Sequence, residues 1–203
     1  MLRLAKLFCT LDLPGEGLEI AQDRPTLVCG NHRSLFDVFC AAAFCATTNL
    51  GCRFLVQATF FDNAITGRWL RRIGCIPLNT ETKEAAFAEA RASLESGQLI
   101  GIMPEGRLVP AHERLPQVGP ARPGASELAT LAGAYLRPIA FHNTEKVWPR
   151  GKWPRFRWRR PHVTMQLSDV HIVPTNDPQA DMDKVMGVLT EMLDRLDAAN
   201  PSD

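Results

Sequence analysis

The chain has 203 residues, of which 45% are apolar and 22% charged, and its formal net charge is +1. That length suits one domain that buries about two thirds of its unfolded surface, and the composition excludes a disordered or fibrous chain. A near-neutral total argues against a nucleic-acid binder, whose excess of cations would dominate the whole domain.

The first residues, MLRLAKLFCTLDLPGEG, are basic and apolar, but their apolar run is too short for a signal peptide. With no apolar stretch of about 20 residues, the expectation is a protein that does not span a membrane by itself. LRLAKLF reads as a weak surface anchor or as a short helix packed on the core. Apolar runs bounded by turn residues predict strands at 26–30, 53–57, 99–103, 136–141 and 162–173. Three- and four-residue spacings predict helices over 35–46, 62–73, 82–96 with Gly97 closing it, and 124–133. A last helix starts at Asp177 and Pro178 and carries Met182, Val185, Met186, Leu189, Met192, Leu193 and Leu196 as one stripe. Strands alternating with helices make this an α/β protein, a single layered domain over 1–203 with a mostly parallel central sheet flanked by helices. Residues 104–123, with five prolines and the sequence PEGR, read as a long functional loop, and 145–161 as a surface excursion. Cys9, Cys29, Cys40, Cys45, Cys52 and Cys75 lie among apolar neighbours with no CxxC pair, which favours buried reduced thiols in the cytosol over disulfides or metal ligands.

The stretch VCGNHRSLFDVFCAAAF, 28–44, sets His32 five positions before Asp37 where a strand gives way to a helix. On one continuous helix such residues are turned apart by about 140°, so His32 must precede the helix to meet Asp37. Gly30 and Asn31 supply the turn and Ser34 a good N-cap. Two readings stay open. Ser34-x-x-Asp37 is a capping-box pattern that needs no chemistry. Alternatively, Asp37 accepts a hydrogen bond from one ring nitrogen of His32, fixing the tautomer and supporting the imidazolium, while the other nitrogen takes a proton from a hydroxyl. Ser34 lacks a nucleophile elbow and is kept as a cap. IMPEGR, 102–107, ends a strand with a carboxylate and a guanidinium exposed in a glycine turn, a surface ion pair or a binding element.

Taken in order, the His-Asp turn, RRIGCIPLN, PEGR, RPGASELA and LRPIAF resemble the motif series of the glycerolipid acyltransferase family, which includes 1-acylglycerol-3-phosphate and other lysophospholipid acyltransferases. Asn31, His32 and Asp37 match its first motif, Pro104, Glu105, Gly106 and Arg107 its third, and Pro138, Ile139 and Ala140 weakly its fourth. The likeness covers about 20–145 and leaves the basic segment 146–162 and the C-terminal strand and helix, 162–199, unmatched. It implies transfer of a fatty acyl group from acyl-CoA or acyl carrier protein to a hydroxyl of a lysophospholipid such as 1-acylglycerol-3-phosphate. By that resemblance His32 and Asp37 are catalytic, Glu105, Gly106 and Arg107 bind the acceptor, and the oxyanion is met by backbone N–H groups or a side-chain donor. No cofactor beyond the thioester co-substrate is implied, and no metal, because His112, His142, His162 and His171 stand apart from acidic or thiol clusters.

Gln57 and Thr80 occupy places where the family usually carries cations. Gln57 is therefore assigned to the substrate side together with Arg72, which with Arg68 and Arg71 substitutes for them or forms a solvated face. The two neutral residues keep open a sugar, an amino-lipid or a specialised metabolite as acceptor. An inactive lipid- or carrier-binding module is opposed by intact His32, Asp37, Glu105 and Arg107. The segment KVWPRGKWPRFRWRRPH, 146–162, mixes three tryptophans and Phe156 with seven cations and no acid. It suits an anionic membrane surface, an acidic carrier protein, or a solvated loop face. The expected partners are a lipid acceptor, that membrane surface and an acyl carrier protein, with no nucleic acid. The expected location is cytoplasmic, peripheral to the inner face of the cell membrane.

Overall fold

A computed structural model describes residues 8–14, 23–47, 51–154 and 160–199. In chain order these form β1 Thr10–Asp12, β2 Thr26–Gly30, α1 Phe36–Thr47, β3 Cys52–Gln57, α2 Ala64–Arg72, β4 Ile76–Leu78, α3 Lys83–Glu95, β5 Leu99–Ile102, α4 Gly124–Ala132, β6 Tyr135–His142, α5 Thr144–Val147, β7 His162–Leu167 and α6 Pro178–Ala199. The seven strands make one sheet in the order β1-β7-β6-β2-β5-β3-β4. Every neighbouring pair is parallel except β6 with β7.

Helices on both faces explain the continuous apolar strands. All of β2 is buried, as is β6 after its first residue. Successive β2 side chains point to opposite sides. Leu27 and Cys29 enter the core that includes Ala86, Ala90 and Leu94 of α3, Leu128 of α4 and Leu189 and Leu193 of α6. Val28 enters the other core, with Phe36, Cys40 and Phe44 of α1 and Ile139, Phe141 and Met165. A smaller cluster seats Leu70 of α2 with Phe61 and Cys75, against Phe54 and Val56. Asn63 caps α2 through its side chain, which accepts from the N–H groups of Ile65 and Thr66. Gly97 ends α3 at φ +81°, as its position in the sequence implies.

Apart from the run 162–173, the predicted helices and strands are present with ends shifted by at most two residues. Two strands, β1 and β4, escape prediction because three residues carry no usable period. The run 162–173 is not one strand. Ser168 accepts from Val170 N–H through its hydroxyl at 3.0 Å and turns the chain, after which Ile172 bridges back to Leu136. The N-terminal LRLAKLF expectation falls largely on residues 1–7, outside the described residues.

Because β2, β3, β4, β5 and β6 run parallel, their carboxyl ends share one edge, where ligand crevices form in such sheets. Gly30 closes β2 at that edge. A Cβ there would lie 2.5 Å from Phe141 Cε2 and 3.2 Å from Ile139 Cγ2, both buried. Gly30→Ala is expected to cost about 1–3 kcal/mol by overpacking, read as a lower denaturant midpoint with an unchanged slope.

Candidate active site

Beyond Gly30 the side chain of Asn31 continues the ladder between β2 and β6. Its Nδ2 donates to Phe141 O at 3.0 Å, and Phe141 N–H donates to its Oδ1 at 2.8 Å. A fully buried amide thus replaces a backbone unit and fixes the direction in which His32 leaves the sheet. One oxygen of Asp37, in the first turn of α1, then gathers the turn. Oδ2 lies 2.9 Å from His32 Nδ1 and accepts from the N–H groups of Arg33 at 2.8 Å and Ser34 at 2.9 Å.

Asp37 is completely buried, and the oxygen that accepts two backbone N–H groups must also be the acceptor for the ring. Nδ1 of neutral His32 therefore carries the proton and Nε2 carries the lone pair. Nε2 has no hydrogen-bond partner among the described residues, and the side chain is 16% exposed. The carboxylate that caps the helix also holds the imidazole, so the contacts expected in the two sequence readings of this turn coexist. Ser34 Oγ accepts from Phe36 N–H at 2.9 Å and donates to Trp148 O at 2.7 Å, so it serves the turn. Cys29 and Cys40 are buried close to this turn in sequence, and burial raises both thiols far above their usual range.

Glu105 lies beneath His32 and not on an exposed turn, a correction to the sequence expectation. It is 5% exposed, its Oε2 accepts from His32 N–H at 2.6 Å, and its Oε1 accepts from Gly119 N–H at 2.7 Å. Val109 N–H donates to His32 O at 3.0 Å, and Arg122 N–H to Pro104 O at 2.9 Å, so the 104–123 loop closes on itself and grips the backbone of residue 32. Burial pushes the Glu105 carboxyl above the usual range, opposed by its two N–H donors. Gly106 permits the turn at φ +67°, a conformation L side chains rarely adopt.

The other expected substrate residues are not gathered at His32. Arg107 is half exposed and pairs with Glu113. Gln57 is exposed at the carboxyl end of β3, and Thr80 is exposed after β4. Arg72, in the last turn of α2, lines a shallow groove with Ala64, Ile65, Arg68 and Trp69, while Arg71 lies over the Phe61 ring at 5.3 Å. Aromatic rings connect that groove to the His32 turn. Trp69 meets Phe39 at 6.4 Å, and Phe39 meets Phe36 at 6.0 Å and Trp148 at 6.1 Å. Part of the expected surface excursion is therefore packed inward at Trp148, whereas Trp153 is 88% exposed.

Four polar residues around the turn carried no signal in the sequence. Arg33 is buried, its Nη2 donates to Gln117 Oε1 at 2.7 Å, and its Nη1 lies 3.5 Å from Glu145 Oε1, which Arg114 meets at 3.1 Å. The partners are 84 and 31 positions apart, beyond any local pattern.

A sequence profile of the family described as Acyltransferase matches residues 15–142. The chain belongs to the acyltransferase family. It is accordingly an enzyme of the acyltransferase type, and the match ends at His142, the last residue of β6. The fold is similar to the crystal structure of the 1-acyl-sn-glycerophosphate (LPA) acyltransferase PlsC from Thermotoga maritima, with a TM-score of 0.71 over 96% of this chain and 75% of that one. Sequence identity with it is 19%, so the likeness speaks for the fold. No curated protein matches the sequence. Among the described residues, no helix of this acyltransferase is long and apolar enough to cross a membrane.

A raised carboxyl pKa means the folded chain holds its proton more tightly than the unfolded chain does. Stability from Glu105 is therefore full below the ordinary carboxylate range and is lost as pH rises through the folded value. Melting curves of wild type and Glu105→Gln between about pH 4 and about pH 7 should show the difference in Tm moving in the variant's favour as pH rises.

Proposed function

We propose that this acyltransferase moves a fatty acyl group from a thioester, acyl-CoA or acyl carrier protein, to a hydroxyl of a lysophospholipid such as 1-acylglycerol-3-phosphate. The observation that carries the mechanism is the 2.9 Å contact between Asp37 Oδ2 and His32 Nδ1, which leaves Nε2 as the base. The acceptor hydroxyl gives its proton to Nε2 while its oxygen bonds to the thioester carbonyl carbon. The tetrahedral intermediate then collapses, the carbon–sulfur bond breaks, and the departing thiolate takes the proton back from the imidazolium. A thioester is a good enough electrophile that no covalent enzyme intermediate is needed. Asp37 supports the transient positive ring, and Glu105 holds its backbone.

Family membership and the likeness of fold to an LPA acyltransferase support the acceptor class. Support for a lipid surface comes from where exposed apolar side chains fall. Among the described residues, five of the eight exposed large apolar side chains, Leu35, Phe60, Ile65, Leu115 and Trp153, come in the segments after β2, β3, β5 or β6, whereas Leu131 lies in α4 and Val170 and Val173 follow β7. Arg150 and Lys152 precede Trp153 in the chain, and cations beside an anionic bilayer contribute about 1 kcal/mol each. In this reading the protein works peripherally on the inner face of the cell membrane with the edge that carries His32 against the headgroups. Residues 155–159 of the basic segment lie outside the described residues. A second acceptor, a sugar, amino-lipid or specialised metabolite, is favoured by one observation: Glu113 already occupies Arg107, while Gln57 and Thr80 are uncharged.

The test is thiol release from acyl-CoA or acyl carrier protein with 1-acylglycerol-3-phosphate, a neutral lysolipid or no acceptor, the product identified by mass. Transfer should need an acceptor and fall about 10²–10⁴-fold in His32→Ala with an unchanged melting curve. Preference for the phosphate-bearing acceptor supports the first reading, and equal use of the neutral one supports the second. Undiminished transfer by His32→Ala would contradict both. Asp37→Asn should lose comparable activity and also about 1 kcal/mol of stability, because it weakens the helix cap.

A further inference from the structure

We propose that the last two turns of α6, through Asp194 and Asp197, are a positioning device for His32. The inference rests on the reading of His32 as the base. It concerns a helix beyond the region that matches the family, which ends at residue 142.

The link is a chain of hydrogen bonds between three distant parts of the sequence. Asp197 Oδ1 lies 2.9 Å from Nε2 of His142, the buried last residue of β6. Gln117 Nε2 donates to Asp194 Oδ1 at 2.7 Å and to Asp197 Oδ2 at 3.0 Å. The other side of the same amide faces the active site, where Gln117 Oε1 and its backbone O accept from Arg33 Nη2 at 2.7 and 3.0 Å. Arg33 in turn donates its backbone N–H to Asp37 Oδ2, the oxygen that holds the ring of His32.

An amide presents its oxygen to one side and its two N–H donors to the other. Two aspartates on the donor side therefore fix which way Gln117 faces, and that orientation gives the buried guanidinium of Arg33 an acceptor that brings no second charge. If the Gln117 amide turns, Arg33 Nη2 keeps only the Gln117 backbone O, and the lost hydrogen bond at a buried guanidinium loosens the turn from His32 to Ser34. Reacting geometry tolerates little of this, since a displacement of about 1 Å costs about 10²-fold in rate. Met182, Val185, Met186 and Leu189 dock α6 on the core ahead of Asp194 and Asp197, so the polar linkage can be broken without unfolding the helix.

The tests are Asp197→Ala, Gln117→Ala, the pair together, and Asp197→Asn. Asparagine keeps an oxygen for Gln117, and its N–H reaches His142 Nε2 once that ring moves its proton from Nε2 to Nδ1. Asp197→Ala should lower kcat about tenfold with KM for the thioester within about twofold, while Asp197→Asn stays near wild type. The double variant should lose no more than the worse single one, because both break one linkage. Hydrogen exchange gives a readout independent of the reaction. The Val109 and Gly119 amides, which bond to His32 O and Glu105, should exchange faster in Asp197→Ala and return to wild-type rates in Asp197→Asn. Unchanged exchange overturns the proposal whatever the reaction proves to be. Faster exchange with kcat unchanged overturns the positioning role alone. Loss of His32-dependent transfer in wild type would refute the functional reading while leaving the exchange result decisive for the linkage.

Discussion

A single buried oxygen organises the active-site turn. Asp37 Oδ2 gathers one ring nitrogen and two backbone N–H groups from three consecutive residues, His32 to Ser34. A carboxylate without exposure is tolerable only when such donors are present, and they converge only if the chain turns sharply as it leaves β2. The local sequence meets that demand piece by piece. Gly30 ends the strand where a Cβ would strike Phe141, Asn31 spends its amide on the backbone of β6, and Ser34 turns the chain into α1. Helix capping and orientation of the imidazole are therefore one interaction at this residue.

A second buried carboxylate completes the arrangement from the other side. Asp37 holds the ring of His32, and Glu105 holds its backbone N–H while tying the loop closed through Gly119. Burial opposes ionisation of Glu105, and the nearby negative charge of Asp37 adds to that effect. The parallel sheet makes this arrangement possible by delivering the turn after β2 and the loop after β5 to one edge as adjacent strands.

Much of this was legible in the sequence where the interaction is local. The contact of His32 with Asp37 was one of the two readings the sequence left open, and it could be framed at all because cap, turn and helix lie within ten residues. The sheet strands of four or more residues and the helices of α/β type follow from their periods. Glu105 was legible as part of a motif but not as a buried brace, since its two donors are 73 and 14 positions away. Periodicity in α6 marks the apolar stripe and says nothing of the polar face, so Asp194 and Asp197 look like solvated acids until Gln117 is placed against them. The strands β1 and β4 are edge pieces of three residues, defined by their pairing alone.

The most direct measurement on the central claim is the tautomer of His32, read from ring nitrogen shifts in imidazole-labelled protein, with the signal assigned by its absence in His32→Ala. The account predicts that neutral His32 carries its proton on Nδ1, with Nε2 unprotonated, and that this preference is lost in Asp37→Asn. A neutral ring protonated at Nε2 in wild type would contradict it, because the nitrogen facing the acceptor would then have no lone pair with which to take the proton.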